Sequence, residues 1–155
     1  MDRGAWLGVD VGTVRVGVAA SDPDRIMAFP LETVPRGDAA AARVVELAQE
    51  RAATAIVVGL PKHLSGREGS SASDARAFAA AVAELTDVDV RLIDERLSTA
   101  SASQAMRAAG RNSRQQRASI DQAAAVVILD TALEADRRGN LGTVTRGVAT
   151  KESDD

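Results

Sequence analysis

The stretch Trp6–Ser21, W-L-G-V-D-V-G-T-V-R-V-G-V-A-A-S, decides the fold because it contains two short apolar runs joined by a tight turn. Both runs, Trp6–Asp10 and Arg15–Ser21, are rich in valine, which favours extended strands. Gly12 allows the turn between them, and the carboxylate of Asp10 closes the first run. The stretch therefore predicts a β-hairpin with an acidic residue at the end of its first strand.

Three further extended segments follow this hairpin. Met27–Val34 predicts a third antiparallel strand, and Pro30 places it at or near an edge because proline cannot donate to a strand ladder. Ala55–Gly59 is an unbroken apolar run, typical of a strand buried on both faces, and Val88–Asp94 predicts another strand.

Segments with helical periodicity lie between these later strands and after the last of them. Asp38 is a candidate N-cap for the first helix, and Ser119 with Gln122 resembles a capping box for the last one. The predicted helices are a segment from Asp38 to about Arg51, Ser73–Leu85, Ser98–Ala109 and Ser119–Arg138.

The order of these elements predicts an α/β fold. Right-handed crossovers lay the two later strands parallel to the first, which gives a five-stranded mixed sheet, three antiparallel strands then two parallel, with helices on both faces. A chain of 155 residues fits one domain. We expect this domain to span 1–138 and a flexible tail rich in Gly, Thr and charge to span 139–155.

The amino-acid composition argues against several classes of functional site. The chain has no cysteine and one histidine, His63, which argues against thiolate or histidine zinc sites and Ser-His triads. No apolar run approaches the roughly 18 to 20 residues of a membrane span, so we expect a soluble, cytoplasmic protein. Any metal would have oxygen ligands. The net charge of −3 argues weakly against a nucleic-acid partner.

Two of the three predicted parallel strands end in acidic residues. Asp10 closes the first strand, Gly59 the second, and Asp94 and Glu95 the third. Sites in open α/β sheets form at the carboxyl ends of parallel strands, and magnesium accepts carboxylate ligands. Alternation along the strand does not choose between Asp94 and Glu95. The alternative is that each acidic residue serves only a turn or cap.

Asp121 is a third candidate ligand. The residues three, four and seven positions later are Ala124, Ala125 and Ile128, so Asp121 is predicted to face the interior. The alternative is an acidic residue in a first helical turn that complements the helix dipole, worth about 0.3 to 1 kcal/mol. Asp130 lies about 180° around the helix and is predicted to stay outside the site.

Positive charge is concentrated in one window. Between Arg96 and Arg117 the chain has five arginines and no acidic residue. Arginines beside a carboxylate site suit a phosphate-backbone substrate, although a solvated helix face is the alternative. Lys62 and Arg67 could add phosphate contacts. The candidate substrate-binding residues are Arg15, Lys62, Arg96, Arg107, Arg111, Arg114 and Arg117.

Four motifs in order resemble the YqgF family, also called RuvX, over roughly residues 5–138. They are D-V-G-T-x-x-x-G-V-A from Asp10, V-V-G-L-P from Val57, D-E-R-L-S-T from Asp94 and I-D-Q-A-A-A-V-x-I-L from Ile120. The resemblance implies an RNase H-like fold and nuclease chemistry at Asp10, Glu95 and Asp121, which selects Glu95 over Asp94. RuvC-type resolvases, distant relatives, carry an acidic residue on the first buried parallel strand, whereas Ala55–Gly59 has none.

The resemblance implies a metal-dependent endonuclease in which Asp10, Glu95 and Asp121 hold one or two Mg²⁺ or Mn²⁺ ions. The first expected substrate is the 5′ end of precursor 16S rRNA in ribosome biogenesis. The second is the Holliday junction, a four-way DNA whose resolution usually requires two symmetric sites and hence a homodimer.

Two other classes of function compete with this interpretation. D-x-G-T-x-x-x-G hairpins also occur in actin-like and sugar-kinase ATPases, but those folds need two related domains. A non-catalytic module that binds nucleic acid during ribosome assembly would keep the arginines and tolerate loss of the carboxylates.

Overall fold

One mixed sheet forms the centre of the molecule. The structure is a computed structural model that describes residues 4–61, 68–95, 114–137 and 144–146, with the backbone alone at 114–121 and 144–146. Its elements in chain order are β1 (Trp6–Val11), β2 (Arg15–Ser21), β3 (Ala28–Pro35), α1 (Ala40–Glu50), β4 (Ala55–Leu60), α2 (Ser70–Glu84), β5 (Asp89–Asp94), α3 (Arg114–Arg137) and β6 (Val144–Arg146).

The strand order in the sheet is β3-β2-β1-β4-β5-β6. The first three strands pair antiparallel, and β1, β4 and β5 pair parallel, as the sequence predicted. All six residues of β4 are buried, which explains their unbroken apolar run. The predicted edge position of Pro30 is also confirmed, since β3 ends the sheet on that side.

Helices cover both faces of the sheet. On one face α1 and α2 pack over a core that includes Leu7, Val9 and Val58. On the other face α3 crosses the first three strands, and its Ile128 and Leu129 are fully buried there. In the described part of the chain, no helix is long and apolar enough to cross a membrane.

The sheet has six strands rather than the predicted five. The sixth strand, β6, pairs antiparallel with β5 and lies within the range predicted as a flexible tail. Val144 and Thr145 are β-branched, and the outer side of β5 offers unpaired backbone groups, so pairing there is favourable. The other residues of 139–155 lie outside the described ranges.

Three predicted helix starts were wrong. Ala39, not Asp38, is the N-cap of α1, and it makes no side-chain capping hydrogen bond. The second helix, α2, begins at Ser70 rather than Ser73. The last, α3, begins at Arg114, since R-Q-Q-R-A consists of strong helix formers, so the predicted capping box at Ser119 lies inside the helix. The predicted helix at Ser98–Ala109 lies outside the described residues.

Two arginine–carboxylate pairs tie these helices to the β3 side of the sheet. Arg36, just after β3, contacts Asp74 of α2 at 2.9 Å, and Arg43 of α1 contacts Glu32 of β3 at 2.8 Å. Hydrogen bonding to Arg36 lowers the pKa of Asp74 below its ordinary 3.8, and Arg43 likewise lowers the pKa of Glu32 below 4.5.

Acid should weaken the fold partly through these two pairs. Because both carboxyl pKa values are lower in the folded chain, the pairs stabilise it above about pH 4.5, and this contribution is lost as the pH falls through the folded values. We expect the double variant Asp74→Asn/Glu32→Gln to lose about 1 kcal/mol of unfolding free energy at about pH 7 and less at about pH 3. Urea titrations of both proteins measure this difference, and an equal loss at both pH values would contradict it.

Candidate active site

Asp10 lies on the sheet face that α3 covers. It shares this face with Gly8, where an added Cβ atom would lie 2.6 Å from Cβ of Leu129 in α3. Across the ladder its partner on β2 is Gly17. Asp10 as a whole residue is 7% exposed, so its carboxylate is held in the protein interior. Buried carboxylates in proteins are paired or bind metals, because an isolated buried charge is costly.

Glu95 lies on the same face, at the end of β5. It follows Ile93 by two residues, and Ile93 packs in the core beneath α3. A Cβ atom added at Gly59 would lie 2.7 Å from Oε2 of Glu95, so this carboxylate extends over the end of β4. Glu95 is also 7% exposed as a whole residue. The two buried carboxylates therefore approach the end of β4 from its two neighbouring strands.

Asp94 lies on the other face of the sheet. It alternates with Leu92 and Val90, which belong to the core beneath α1 and α2. On β4 its partner is Leu60, another residue of that core. The geometry thus brings Glu95, and not Asp94, to the face of Asp10.

Glycines occupy the positions around Asp10 on this face. Gly8 and Gly12 precede and follow it by two residues, and Gly17 is its partner on β2. On β4, Val58 is the partner of Val9, so the next residue, Gly59, lies beside Asp10. The neighbouring atoms lie close to these glycines, since an added Cβ would lie 2.6 Å from Cβ of Leu129 at Gly8 and 2.6 Å from the carbonyl oxygen of Arg15 at Gly12.

The first half of α3 passes over the row of the sheet that contains Asp10. Gln122 of α3 donates a hydrogen bond from Nε2 to Oγ1 of Thr33 on β3, at 2.7 Å. Thr33 is the partner of Gly17, which is in turn the partner of Asp10. At this residue α3 is therefore about two strand spacings, roughly 10 Å, from Asp10.

Asp121 stands in α3 next to Gln122, and its side chain lies outside the described part. Because α3 begins at Arg114 and has no acidic residue in its first turn, Asp121 lies about two turns inside the helix. The alternative role in a first helical turn is therefore removed. Asp121 precedes the fully buried Ala124 and Ala125 by about one turn.

The residues at this face fit a divalent metal ion. Two buried carboxylates give hard oxygen ligands, and the absence of a Cβ at Gly59 leaves room for the Glu95 carboxylate. Among the described residues no group of three acidic, histidine or cysteine side chains is close enough to hold an ion. Asp121 is the third carboxylate that the sequence predicts, and its side chain lies outside the described part.

Of the predicted substrate-binding residues, the structure describes the side chain of Arg15 alone. Arg15 precedes Gly17 by two residues on β2, which puts it on the face of Asp10, and it is partly exposed. Arg114 and Arg117 lie at the start of α3, with backbone only. The rest lie outside the described ranges: Lys62, Arg96, Arg107 and Arg111.

Two residues of functional interest were missed from the sequence. Gly59 had a visible signal, since a glycine ending a fully buried strand indicates close approach by another group. Arg36 had none, because its side chain donates to the carbonyl of Gly12 and to Asp74, which are 24 and 38 residues away. Contacts between residues so far apart in the sequence form only in the folded chain, so no local sequence pattern indicates them.

Comparison with known proteins gives a family match and close relatives. The sequence model of the RuvX family, described as Holliday junction resolvase, matches residues 4–135. A protein of Clavibacter sepedonicus, provisionally named pre-16S rRNA nuclease, is 53% identical over 140 residues, which are 88% of this chain and 87% of the relative. A Mycobacteroides abscessus protein with the same provisional name is 52% identical over 140 residues, 88% of this chain and 84% of the relative.

Solved structures with a similar fold include RuvC of Thermus thermophilus. The RuvC chain in complex with a Holliday junction substrate has a TM-score of 0.57 and 20% identity, covering 88% of this chain and 97% of RuvC. A second structure of Thermus thermophilus RuvC has a TM-score of 0.55 and 17% identity, covering 91% and 98%. At this level of identity the likeness shows a shared fold.

Proposed function

This chain belongs to the RuvX family of nucleases and has an RNase H-like fold, and from that membership we propose a metal-dependent endonuclease with its active site at Asp10, Glu95 and Asp121. The catalytic domain spans 1–138. The three carboxylates would hold one or two Mg²⁺ or Mn²⁺ ions. Hydrolysis of a phosphodiester bond is the reaction class.

The observation that carries this proposal is the convergence of two buried carboxylates beside Gly59. Asp10 and Glu95 come from different strands, yet both face α3 at the end of β4. Carboxylate oxygens from two neighbouring strands are the hard ligands that a divalent cation such as Mg²⁺ accepts. A bound divalent ion would supply charge that polarises the phosphoryl oxygen and lowers the pKa of a water.

The chain's own residues would orient the substrate at this site. Arg15 lies on the same face and would contact a neighbouring phosphate. The arginine window from Arg96 to Arg117 would hold the rest of the strand.

The first proposed substrate is the 5′ end of precursor 16S rRNA, processed in the cytoplasm during ribosome biogenesis. Relatives more than half identical to this chain carry that activity in their provisional names. The second candidate is a four-way DNA junction, which the family description and the junction-bound RuvC structure favour. That second activity would require a homodimer with two sites.

A paired set of variants tests the assignment. Purified protein is incubated with a precursor 16S 5′ leader RNA or a four-way DNA junction, with Mg²⁺ or Mn²⁺ at matched salt. Glu95→Gln should lower cleavage by about 10³-fold or more, because removing a metal ligand forfeits several kcal/mol of transition-state stabilisation. Asp94→Asn, the adjacent carboxylate on the other face, should cleave within a few-fold of wild type.

Three outcomes would contradict the proposal. Equal losses of cleavage in Glu95→Gln and Asp94→Asn would show that the assignment of these two carboxylates to opposite faces of the sheet is wrong. Full activity of Glu95→Gln would remove Glu95 from the site. Tight binding of both nucleic acids without cleavage under either metal would identify a non-catalytic binding module instead.

A further inference from the structure

The turn between β1 and β2 is held from outside by Arg36. The Arg36 side chain donates from Nη1 to the carbonyl of Gly12 at 2.8 Å, and its backbone N–H donates to the carbonyl of Val14 at 3.0 Å. Gly12 itself donates its N–H to the carbonyl of Arg15 at 2.9 Å. One residue therefore binds the backbone on both sides of Thr13, at a turn that begins two residues after Asp10.

Arg36 is itself fixed by α2. Its Nη1 and Nη2 donate to the two carboxylate oxygens of Asp74, at 2.9 and 3.1 Å. Its guanidinium carbon lies 5.5 Å from the ring centroid of Phe78, also in α2. A planar guanidinium suits this combination, since it can pair two-pronged with a carboxylate, stack on a ring and still donate to a carbonyl.

We propose that Arg36 is a positioning residue for Asp10, joining the β1–β2 turn to α2 so that the Asp10 carboxylate keeps a fixed place beside Glu95. This inference rests on the proposed function, in which Asp10 is a metal ligand. The route is short: Arg36 holds Gly12, and Gly12 is joined to Asp10 through Val11, a partly buried strand residue. Arg36 lies on the other side of the sheet from the carboxylates and touches neither metal nor substrate.

A second arginine in the fold provides a matched control. Arg43 of α1 pairs two-pronged with Glu32 of β3, with both distances at 2.8 Å. Its side chain is 34% exposed, close to the 27% of Arg36. The Arg43 pair also joins a helix to the β3 side of the sheet, but its hydrogen bonds do not extend to the turn. Loss of either pair should therefore weaken the fold similarly, whereas loss of Arg36 alone should move Asp10.

The experiment measures Mn²⁺ binding and amide hydrogen exchange in the full chain. Arg36→Met keeps an apolar stem against Phe78 and removes every charged donor. We expect its Mn²⁺ affinity to fall about 10- to 100-fold, as for loss of groups that orient metal ligands, and the Gly12 amide to exchange faster. Arg43→Met should bind Mn²⁺ as wild type does. Arg36→Lys, which keeps a charged donor, should recover part of the affinity.

Asp74→Asn provides an independent variant if Arg36→Met does not fold. It leaves Arg36 in place without its anchor, so we expect a smaller loss of Mn²⁺ affinity in the same direction. Wild-type Mn²⁺ affinity and wild-type Gly12 exchange in the folded Arg36 or Asp74 variant would overturn the inference. Equal losses in Arg36→Met and Arg43→Met would also overturn it, because general loosening would then explain both.

Asp10→Asn, measured alongside, separates this inference from the proposed function. If Asp10→Asn binds Mn²⁺ as tightly as wild type, the metal assignment itself is wrong. Faster Gly12 exchange in Arg36→Met alone would then still support the contact between Arg36 and the turn. If Asp10→Asn loses Mn²⁺ and Arg36→Met does not, the positioning role of Arg36 is the part that fails.

Discussion

Asp10→Asn should abolish cleavage while leaving nucleic-acid binding intact. Asparagine keeps the shape of the side chain but removes its negative charge, so the site loses a ligand that no neighbour replaces: the four adjacent positions on this face are glycines. We expect the rate to fall about 10³-fold or more, equivalent to roughly 4 kcal/mol of transition-state stabilisation. Single-turnover cleavage of the RNA leader and the DNA junction measures this loss.

Binding should survive in this variant because it depends on cationic side chains rather than on Asp10. Gel-shift titrations with both nucleic acids, without metal, provide the control, and circular dichroism establishes that the variant is folded. Cleavage by Asp10→Asn at the wild-type rate would refute the active-site assignment. Loss of binding and cleavage together with the folded circular dichroism spectrum would mean that Asp10 supports the fold instead.

Gly59→Ala should impair both catalysis and stability. An added Cβ would lie 2.7 Å from Oε2 of Glu95 and 2.6 Å from Cδ1 of Ile128, both too close for ordinary contact. Displacing the Glu95 carboxylate by about 1 Å can cost about 10²-fold in rate. The overpacking against α3 should lower the free energy of unfolding by about 1–3 kcal/mol. Cleavage assays and urea unfolding of the same preparation measure both quantities.

A second substitution separates the two contacts. Gly59→Ala combined with Ile128→Val removes the Cδ1 atom that the new methyl group would meet, so part of the lost stability should return. Activity should stay low, because the contact with Glu95 remains. Recovery of both activity and stability would show that a shift of α3, and not of Glu95, impairs the enzyme.

The sequence predicted the five principal strands and their order because local signals specify them. The hairpin from Trp6 to Ser21 combines valine-rich runs with a glycine turn, and the apolar run at Ala55–Gly59 indicates a central strand. Crossover handedness then leaves few ways to place the strands. Helix starts were less predictable, since Arg114 begins α3 through intrinsic propensity rather than through a capping motif.

The site was predictable in part. The predicted strand ends pointed to Asp10 and to the pair Asp94 and Glu95. The alternation of side chains along β5 could not show which of the two faces Asp10, because the chain can turn where the strand ends. The choice depends on Gly59, a residue of a different strand. The contact of Arg36 with Gly12 was beyond prediction for the same reason, since it joins residues that only the folded chain brings together.

The short strand β6 also affects how the sheet meets other chains. An open sheet has two edges whose unpaired N–H and C=O groups can template aggregation. On one side β6, which has three residues in the described part of the chain, pairs with Arg91–Ile93 of β5. On the other side β3 carries Pro30 and faces an irregularity in the ladder at Val18 and Ala19. The β3 edge is thus a poor template for strand addition, and a second copy of the chain is not expected to associate by extending the sheet on that side.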